Sequence, residues 1–354
     1  MPNCIQCNPL TDRAAVANMM LGYRGDQQTD DWWRQATMTD MTDSPNGTCK
    51  VYAGGTPCFV KRHCGDPEAH QATMYSYTVK TCRYEKNLKF KEKEWKYDKT
   101  GLMRRQTLDI GIEARLHPED SIVDMLNKAE LVPSIVDGVP LTGFNHCWND
   151  PDKPQSNLIV SEVVDPANPT CEEVQCCVYD TIAQIYSARN DQDKVIRKPN
   201  RFSHFLVIYG VPYDKVMTKC FLPTAACTGA ADGGANVLRD GAYDIRPVLE
   251  PDYFSGYTTA PPPVLGAPAT VGPNPSGHSI IVIGVPRSVG GMGMGYALGC
   301  TTLEEFRPWS LTPDSPQWRR GVDCQVLFGG DFEKAYYPHD WTLIAQCNLV
   351  AKGG

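Results

Sequence analysis

The residues best equipped for chemistry are fifteen cysteines and seven histidines. Thiolates and imidazoles ligate zinc, and a thiolate beside an imidazole can act as a nucleophile. Their spacing argues against both uses. Cys4 and Cys7 form a C-x-x-C pair, but a closed zinc site needs four ligands and no second pair follows at suitable spacing. Nor does that pair open a helix in a thioredoxin-like pattern, as a redox centre would. Cys58, His63 and Cys64 could begin a metal cluster. Cys171, Cys176 and Cys177 share one helical segment, yet Cys171 points elsewhere than Cys177 and the three make a poor common site. Most of the cysteines read as buried free thiols. Disulfides formed after release into an oxidising medium are one alternative, and a metal site is another. Gly290-Gly291-Met292-Gly293-Met294-Gly295 follows a strand pattern, as a phosphate-cradling loop would, but fits neither the dinucleotide fingerprint nor the P-loop. It reads as a surface loop. His146, His204, His278 and His339 lie in no G-x-S-x-G or H-E-x-x-H context. A Cys147–His204 pairing remains for a cysteine hydrolase, supported by composition alone. The expectation is a protein without catalytic residues, cofactor or bound metal.

Bulk properties narrow the class. The chain has 354 residues, 42% hydrophobic and 21% charged, a composition that folds around a core. Its most apolar stretch, around Phe205 to Val211, is far short of a membrane span. The first residues carry no basic region followed by an apolar run, so folding in a cytoplasm is expected. Net charge is −7, without an obvious basic stripe. A protein that grips DNA phosphates usually has one, so this chain would enclose nucleic acid rather than grip it.

The elements follow from hydrophobic period and punctuation. Residues 1–66 read as an irregular extended arm with a short helix from Asp12 to Leu21 and the pair Trp32-Trp33. Tyr75, Tyr77 and Val79 alternate with Ser76, Thr78 and Lys80, a strand pattern. A second, more polar strand runs through Leu88 to Lys96, and Asp98-Lys99-Thr100-Gly101 is a turn. Together they predict a long projecting hairpin, marginal alone in water and in need of a neighbour. From Arg83 to Lys99 there are seven Lys or Arg and four Asp or Glu, a mixed-sign surface suited to protein pairing.

Residues 105–131 predict a helix with Leu108, Ile112 and Leu116 on its apolar face. Pro118 interrupts it, Glu119 and Asp120 restart a first turn, and Pro133 ends it. Asp137-Gly138 is a turn. Thr170 and Glu173 form a capping box for a helix whose Val174, Val178, Ile182 and Ile185 face the core. Phe205 to Tyr209 is a buried strand, Pro212 opens a short helix, and Ser279 to Val285 is another strand. Residues 223–236 and 259–277, rich in Ala, Gly, Thr and Pro, read as long loops that carry interactions. Strands around Val322–Phe328 and Leu343–Val350 close the chain. The class is α+β.

This order of features resembles the HK97-type capsid fold, and the local sequence resembles the major head subunit of Mu-like phages. The likeness is carried by Tyr84-Glu85-Lys86-Asn87-Leu88-Lys89-Phe90, by the Asp98–Gly101 turn, and by Leu108-Asp109-Ile110-Gly111. It continues in His117-Pro118-Glu119 through Val123-Asp124-Met125-Leu126, in Asp137-Gly138-Val139-Pro140-Leu141 with His146, in His204-Phe205-Leu206-Val207-Ile208 with Pro212, and in Trp341. It spans roughly residues 67–350 with long gaps. Leu141-Thr142 replaces the usual aromatic pair after Asp-Gly, and the paired acids at the turn are reduced to Asp98.

The resemblance implies an N-terminal arm (1–66), an extended hairpin or E-loop (67–103), a spine helix with peripheral domain (104–160), an axial domain with long loops (161–299) and peripheral return strands (300–354). It implies a major capsid protein forming hexamers and pentamers of an icosahedral shell, in the virion, assembled in the host cytoplasm with scaffolding, portal and decoration proteins. The shell would hold double-stranded DNA without reading its sequence, and no membrane. The expected subunit contacts are Tyr75, Tyr77, Phe90, Trp95 and Tyr97 as anchors. Lys89, Lys91, Glu92, Lys93 and Glu94 would set the pairing. No Lys–Asn crosslink is expected. Another virion protein of tail or surface, or an encapsulin-like compartment, are the alternatives.

Overall fold

Runs of β-branched and aromatic residues pair wherever both of their faces can be covered, and amphipathic helices do the covering. In the computed structural model this chain forms five helices among the described residues, which are 12–25, 31–42, 48–54, 74–91, 101–134, 137–147, 152–189, 195, 201–221, 243–253, 278–287, 296–311 and 325–352. The helices are α1 (Asp12–Arg24), α2 (Trp32–Ala36), α3 (Leu102–Asn127), α4 (Cys171–Ser187) and α5 (Asp214–Phe221). The strands are β1 (Thr37–Met41), β2 (Thr48–Gly54), β3 (Met74–Lys80), β4 (Cys82–Lys91), β5 (Leu158–Val163), β6 (Phe202–Tyr209), β7 (Ile245–Leu249), β8 (Ser279–Pro286), β9 (Leu298–Leu311), β10 (Gln325–Pro338) and β11 (Ile344–Ala351).

Three sheets result. The first has five strands in the order β5-β11-β8-β6-β7, with β8 antiparallel to both β6 and β11. Ile280, Ile281, Val282 and Ile283 of β8 are fully buried. At about 2 kcal/mol for each such side chain removed from water, this strand alone is a major source of cohesion. The capping box of α4 forms as expected: Glu173 N–H donates to Thr170 Oγ1 at 3.3 Å and Thr170 N–H to Glu173 Oε2 at 2.7 Å. Val174, Val178, Ile182 and Ile185 all join the large core. Cys171 at the start of α4 is disulfide-linked to Cys220 in α5, their Cα atoms 5.8 Å apart.

The second sheet has four strands, β1-β9-β10-β4, and carries its own smaller core. Here α1 and α3 lie on Phe306, Phe328 and Phe332. The third is the pair β2-β3.

Five expectations are corrected. The projecting hairpin is not two strands folded on each other: β3 pairs with β2 from the arm, whereas β4 pairs with β10. Only Thr81 separates β3 from β4, so the chain runs on from one sheet into the next instead of turning back. The boundary at residue 66 therefore cuts through a paired unit. The final strand β11 belongs with β5 and β8 in the five-stranded sheet, not with the returning strands of the other.

The helix α3 is continuous through Pro118, which is buried inside it, so Glu119 and Asp120 do not occupy a first turn. Pro118 forfeits one backbone hydrogen bond, and its ring is buried. The buried face of α3 is Met103, Thr107, Ile110, Gly111 and Ala114, while Leu116 is exposed. Two glycines decide that rotation. A Cβ on Gly111 would strike the Met19 carbonyl of α1, and one on Gly22 would strike the Leu108 carbonyl of α3. The bare backbones let the helices approach closely on this side. The expected loops 223–236 and 259–277 lie outside the described residues.

Candidate assembly interface

Strand β4 is the outer strand of the four-stranded sheet, and its sequence CRYEKNLKFK has two faces. Tyr84, Leu88 and Phe90 are half-buried against the small core, with Tyr84 stacked on Phe332 at 5.3 Å between ring centroids. Between them Lys86 reaches Glu113 of α3 in an ion pair. The opposite face presents Arg83, Glu85, Asn87, Lys89 and Lys91 to solvent. Period-two alternation produces this division directly.

The charged face is organised. Asn87 Nδ2 donates to Glu85 Oε1 at 2.7 Å, and Arg83 pairs with the buried Asp331 of β10. On the inner face, under the helices, Lys334 lies 3.5 Å from Glu305, which also accepts a 2.6 Å bond from the Tyr23 hydroxyl. Each of these pairs keeps one partner in solvent, which screens it and limits what it adds to folding. They do define a fixed pattern of alternating sign, which is what register recognition between proteins needs.

Beneath β4, Tyr84, Ile110, Ala114, His117, Phe306 and Phe332 line a cavity of about 200 Å³. His117 Nδ1 lies 3.3 Å from the Tyr336 hydroxyl and 3.2 Å from Ser121 Oγ. Burial, and then Lys334 nearby, hold the His117 imidazole below the ordinary histidine range. It is a packing group here.

The expected contact residues are divided. Tyr75 and Tyr77 lie in β3, opposite Ala53 and Val51. Lys89, Phe90 and Lys91 lie in β4, opposite Leu327, Val326 and Gln325. Glu92, Lys93, Glu94, Trp95 and Tyr97 lie outside the described residues. Sequence reasoning missed Arg83, Lys86, Glu113 and Asp331, whose pairings join segments far apart in the chain. The period-two alternation of β4 was the available signal for its inner face, but no local pattern names a cross-strand partner.

The other candidate chemistry does not assemble. Cys147 donates its backbone N–H to Asp137 at 3.3 Å. His204 instead faces Ser203 and Gln35, at 2.6 and 2.7 Å. Cys147 and His204 thus sit in separate surroundings. His146 is spent on a buried 2.8 Å pair with Asp137 and on stacking against Trp341. Among the described residues no group of His, Cys, Asp and Glu could hold a metal ion, and no helix is long and apolar enough to cross a membrane. Cys4, Cys7, Cys58, His63, Cys64 and the Gly290–Gly295 loop lie outside the described residues.

Solved phage capsid chains match this fold along most of its length. The fold is the HK97-like α+β architecture of phage capsid subunits. The mature capsid of bacteriophage PhiM1 matches with a TM-score of 0.55 at 9% identity, over 93% of this chain and 90% of that chain. The capsid of the cyanophage P-SCSP1u matches at 0.53 and 10% identity, over 90% and 88%. The capsid of Ralstonia phage GP4 also matches at 0.53, at 8% identity, over 90% and 88%. No family profile and no curated protein matches the chain by sequence.

Proposed function

We propose that this chain is the major capsid protein of a tailed bacteriophage, a structural subunit and not an enzyme. Copies associate into hexamers and pentamers and close an icosahedral shell around double-stranded DNA. The observation that supports this most is end-to-end coverage. About nine-tenths of this chain and of each compared capsid subunit superimpose. A binding module borrowed into another context would match over part of its partner only.

On this reading the outer face of β4, together with residues 92–97, is the surface that lies over a neighbouring subunit. Lys89, Lys91, Glu92, Lys93 and Glu94 set its register, and Phe90, Trp95 and Tyr97 anchor it, with Tyr75 and Tyr77 on the adjoining strand. Contacts between unlike patches generate rings, and rings that curve close into a shell. The net charge of −7 suits a wall that holds DNA without gripping it. Assembly would take place in the host cytoplasm with scaffolding and portal proteins, and decoration proteins would bind the outside. The local motifs favour a relative of Mu-like phage head subunits.

Negative-stain electron microscopy of the purified protein, with and without its scaffolding partner, tests this. Angular closed shells of uniform diameter are expected. Tubes or isolated rings under both conditions would point to a tail or portal-side protein. Closed shells that carry enzyme cargo and never DNA would point to an encapsulin-like compartment.

A further inference from the structure

Three separated parts of the chain meet at one carboxyl pair, Glu250 buried and Glu119 half-buried. Trp32 in α2, from the arm, donates its indole N–H to Glu250 just after β7. The Glu250 carboxyl lies within interaction reach of Glu119, midway along α3. Glu250 is only 8% exposed, and Trp32 and the neighbouring Trp33 are in the large core. Two ionised carboxylates cannot share such a contact, because like charges this close and this dry repel strongly. One proton between them turns the repulsion into a hydrogen bond.

We propose that Glu119 and Glu250 form a one-proton latch that holds α2 and the spine helix α3 to the five-stranded sheet, and that the latch opens when the proton leaves to solvent. The inference concerns this chain's own arm and stands independently of shell formation.

The surroundings favour it. On the arm, Asp31 faces Glu119 and is itself bound by Arg34 at 3.1 Å. On α3, Asp120 faces Glu119. After β7, Asp252 faces both Glu250 and Asp120. From β6, His204 bonds Gln35 of α2 at 2.7 Å, with Arg246 and Asp244 nearby. The acids crowd the pair with negative charge, so losing the proton has a large effect. Burial, then the Glu119 charge, push the Glu250 carboxyl up to about 7, and Glu119 is raised by burial as well. The sign follows: a carboxyl raised in the docked state stabilises docking fully below its ordinary value, and that contribution is lost as pH rises through about 7. Burial lowers the His204 imidazole below its ordinary range, so its charge change lies on the acid side of this window.

Amide hydrogen exchange of residues 31–42 in the full-length subunit reads the latch. Between about pH 6 and about pH 8.5, after correction for intrinsic exchange, protection of α2 and β1 should fall about tenfold. In Glu250→Gln the amide carbonyl still accepts from Trp32 and the amide N–H donates to Glu119, so protection should be the same at both pH values. Glu119→Gln supplies the same comparison if the first variant fails to fold. A wild-type protein whose protection does not change, or a Gln variant that keeps the wild-type fall, would overturn the proposal.

Discussion

The two larger sheets are built on opposite principles. In the five-stranded sheet the central strands β6, β8 and β11 are buried almost throughout, and even the polar side chains are tied down: Asn157 Nδ2 bonds the Leu141 and Trp341 carbonyls at 2.7 and 3.1 Å. In the four-stranded sheet the outer strand β4 covers a small core with every second residue and spends the others on exposed charge. The first sheet holds the subunit together. The second presents a patterned face whose energetic value arises only when something lies against it. A subunit can be stable on its own and yet incomplete when these two tasks are given to different sheets.

Four changes would break or sharpen that contrast. The largest loss is expected from Ile281→Ala in β8, which empties space on a fully buried strand and should cost about 2–5 kcal/mol in urea unfolding. If it costs under about 1 kcal/mol, the five-stranded sheet is not the stabilising unit.

Gly111→Ala comes next. Alanine normally favours a helix interior by about 1 kcal/mol, but here its methyl would meet the Met19 backbone. A net destabilisation of about 1–3 kcal/mol is expected, with exchange of α1 amides increased more than those of β8. A stabilised variant would show that α1 and α3 do not need the close approach.

Thr170→Ala removes the cap of α4 and should cost about 1 kcal/mol, seen as a lower denaturation midpoint with unchanged slope.

Smallest for the subunit is the double reversal Lys91→Glu with Lys93→Glu. Its stability should move by less than about 0.5 kcal/mol, since Lys91 is exposed to solvent. Shell formation, followed by sedimentation and electron microscopy, should nonetheless fail. Normal shells from that variant would remove β4 and residues 92–97 from the assembly surface.

How legible this was in the sequence varied with distance along the chain. The strand Phe205 to Tyr209 and the strand at Ser279 were readable because an unbroken apolar run has nowhere to go but a covered sheet. The α4 capping box was readable because its two partners lie three residues apart. Tyr84, Leu88 and Phe90 alternate with polar residues, but the charge on both faces of Leu88 to Lys96 suggested a projecting strand, and the inward face emerged only from pairing with β10. In contrast, Leu108, Ile112 and Leu116 satisfy helical spacing as well as Ile110 and Ala114 do, and the wrong stripe was chosen. The partner of β3 was equally hidden, since adjacency suggested β4 and the fold supplied β2. Arg83 and Asp331 are 248 residues apart, so their pairing leaves no local trace.

The sequence by itself thus determined the class of the molecule: α+β, with buried central strands and a capped helix at Thr170. These rest on short-range physics, periodicity and capping, that each segment carries within itself. Only the tertiary structure decided which face of α3 is buried, which sheet receives β11, and which acids meet at Trp32. Those choices depend on backbone approach at Gly22 and Gly111, on long-range strand pairing, and on carboxyl groups desolvated together. Each is a property of segments in contact, and no segment holds it alone.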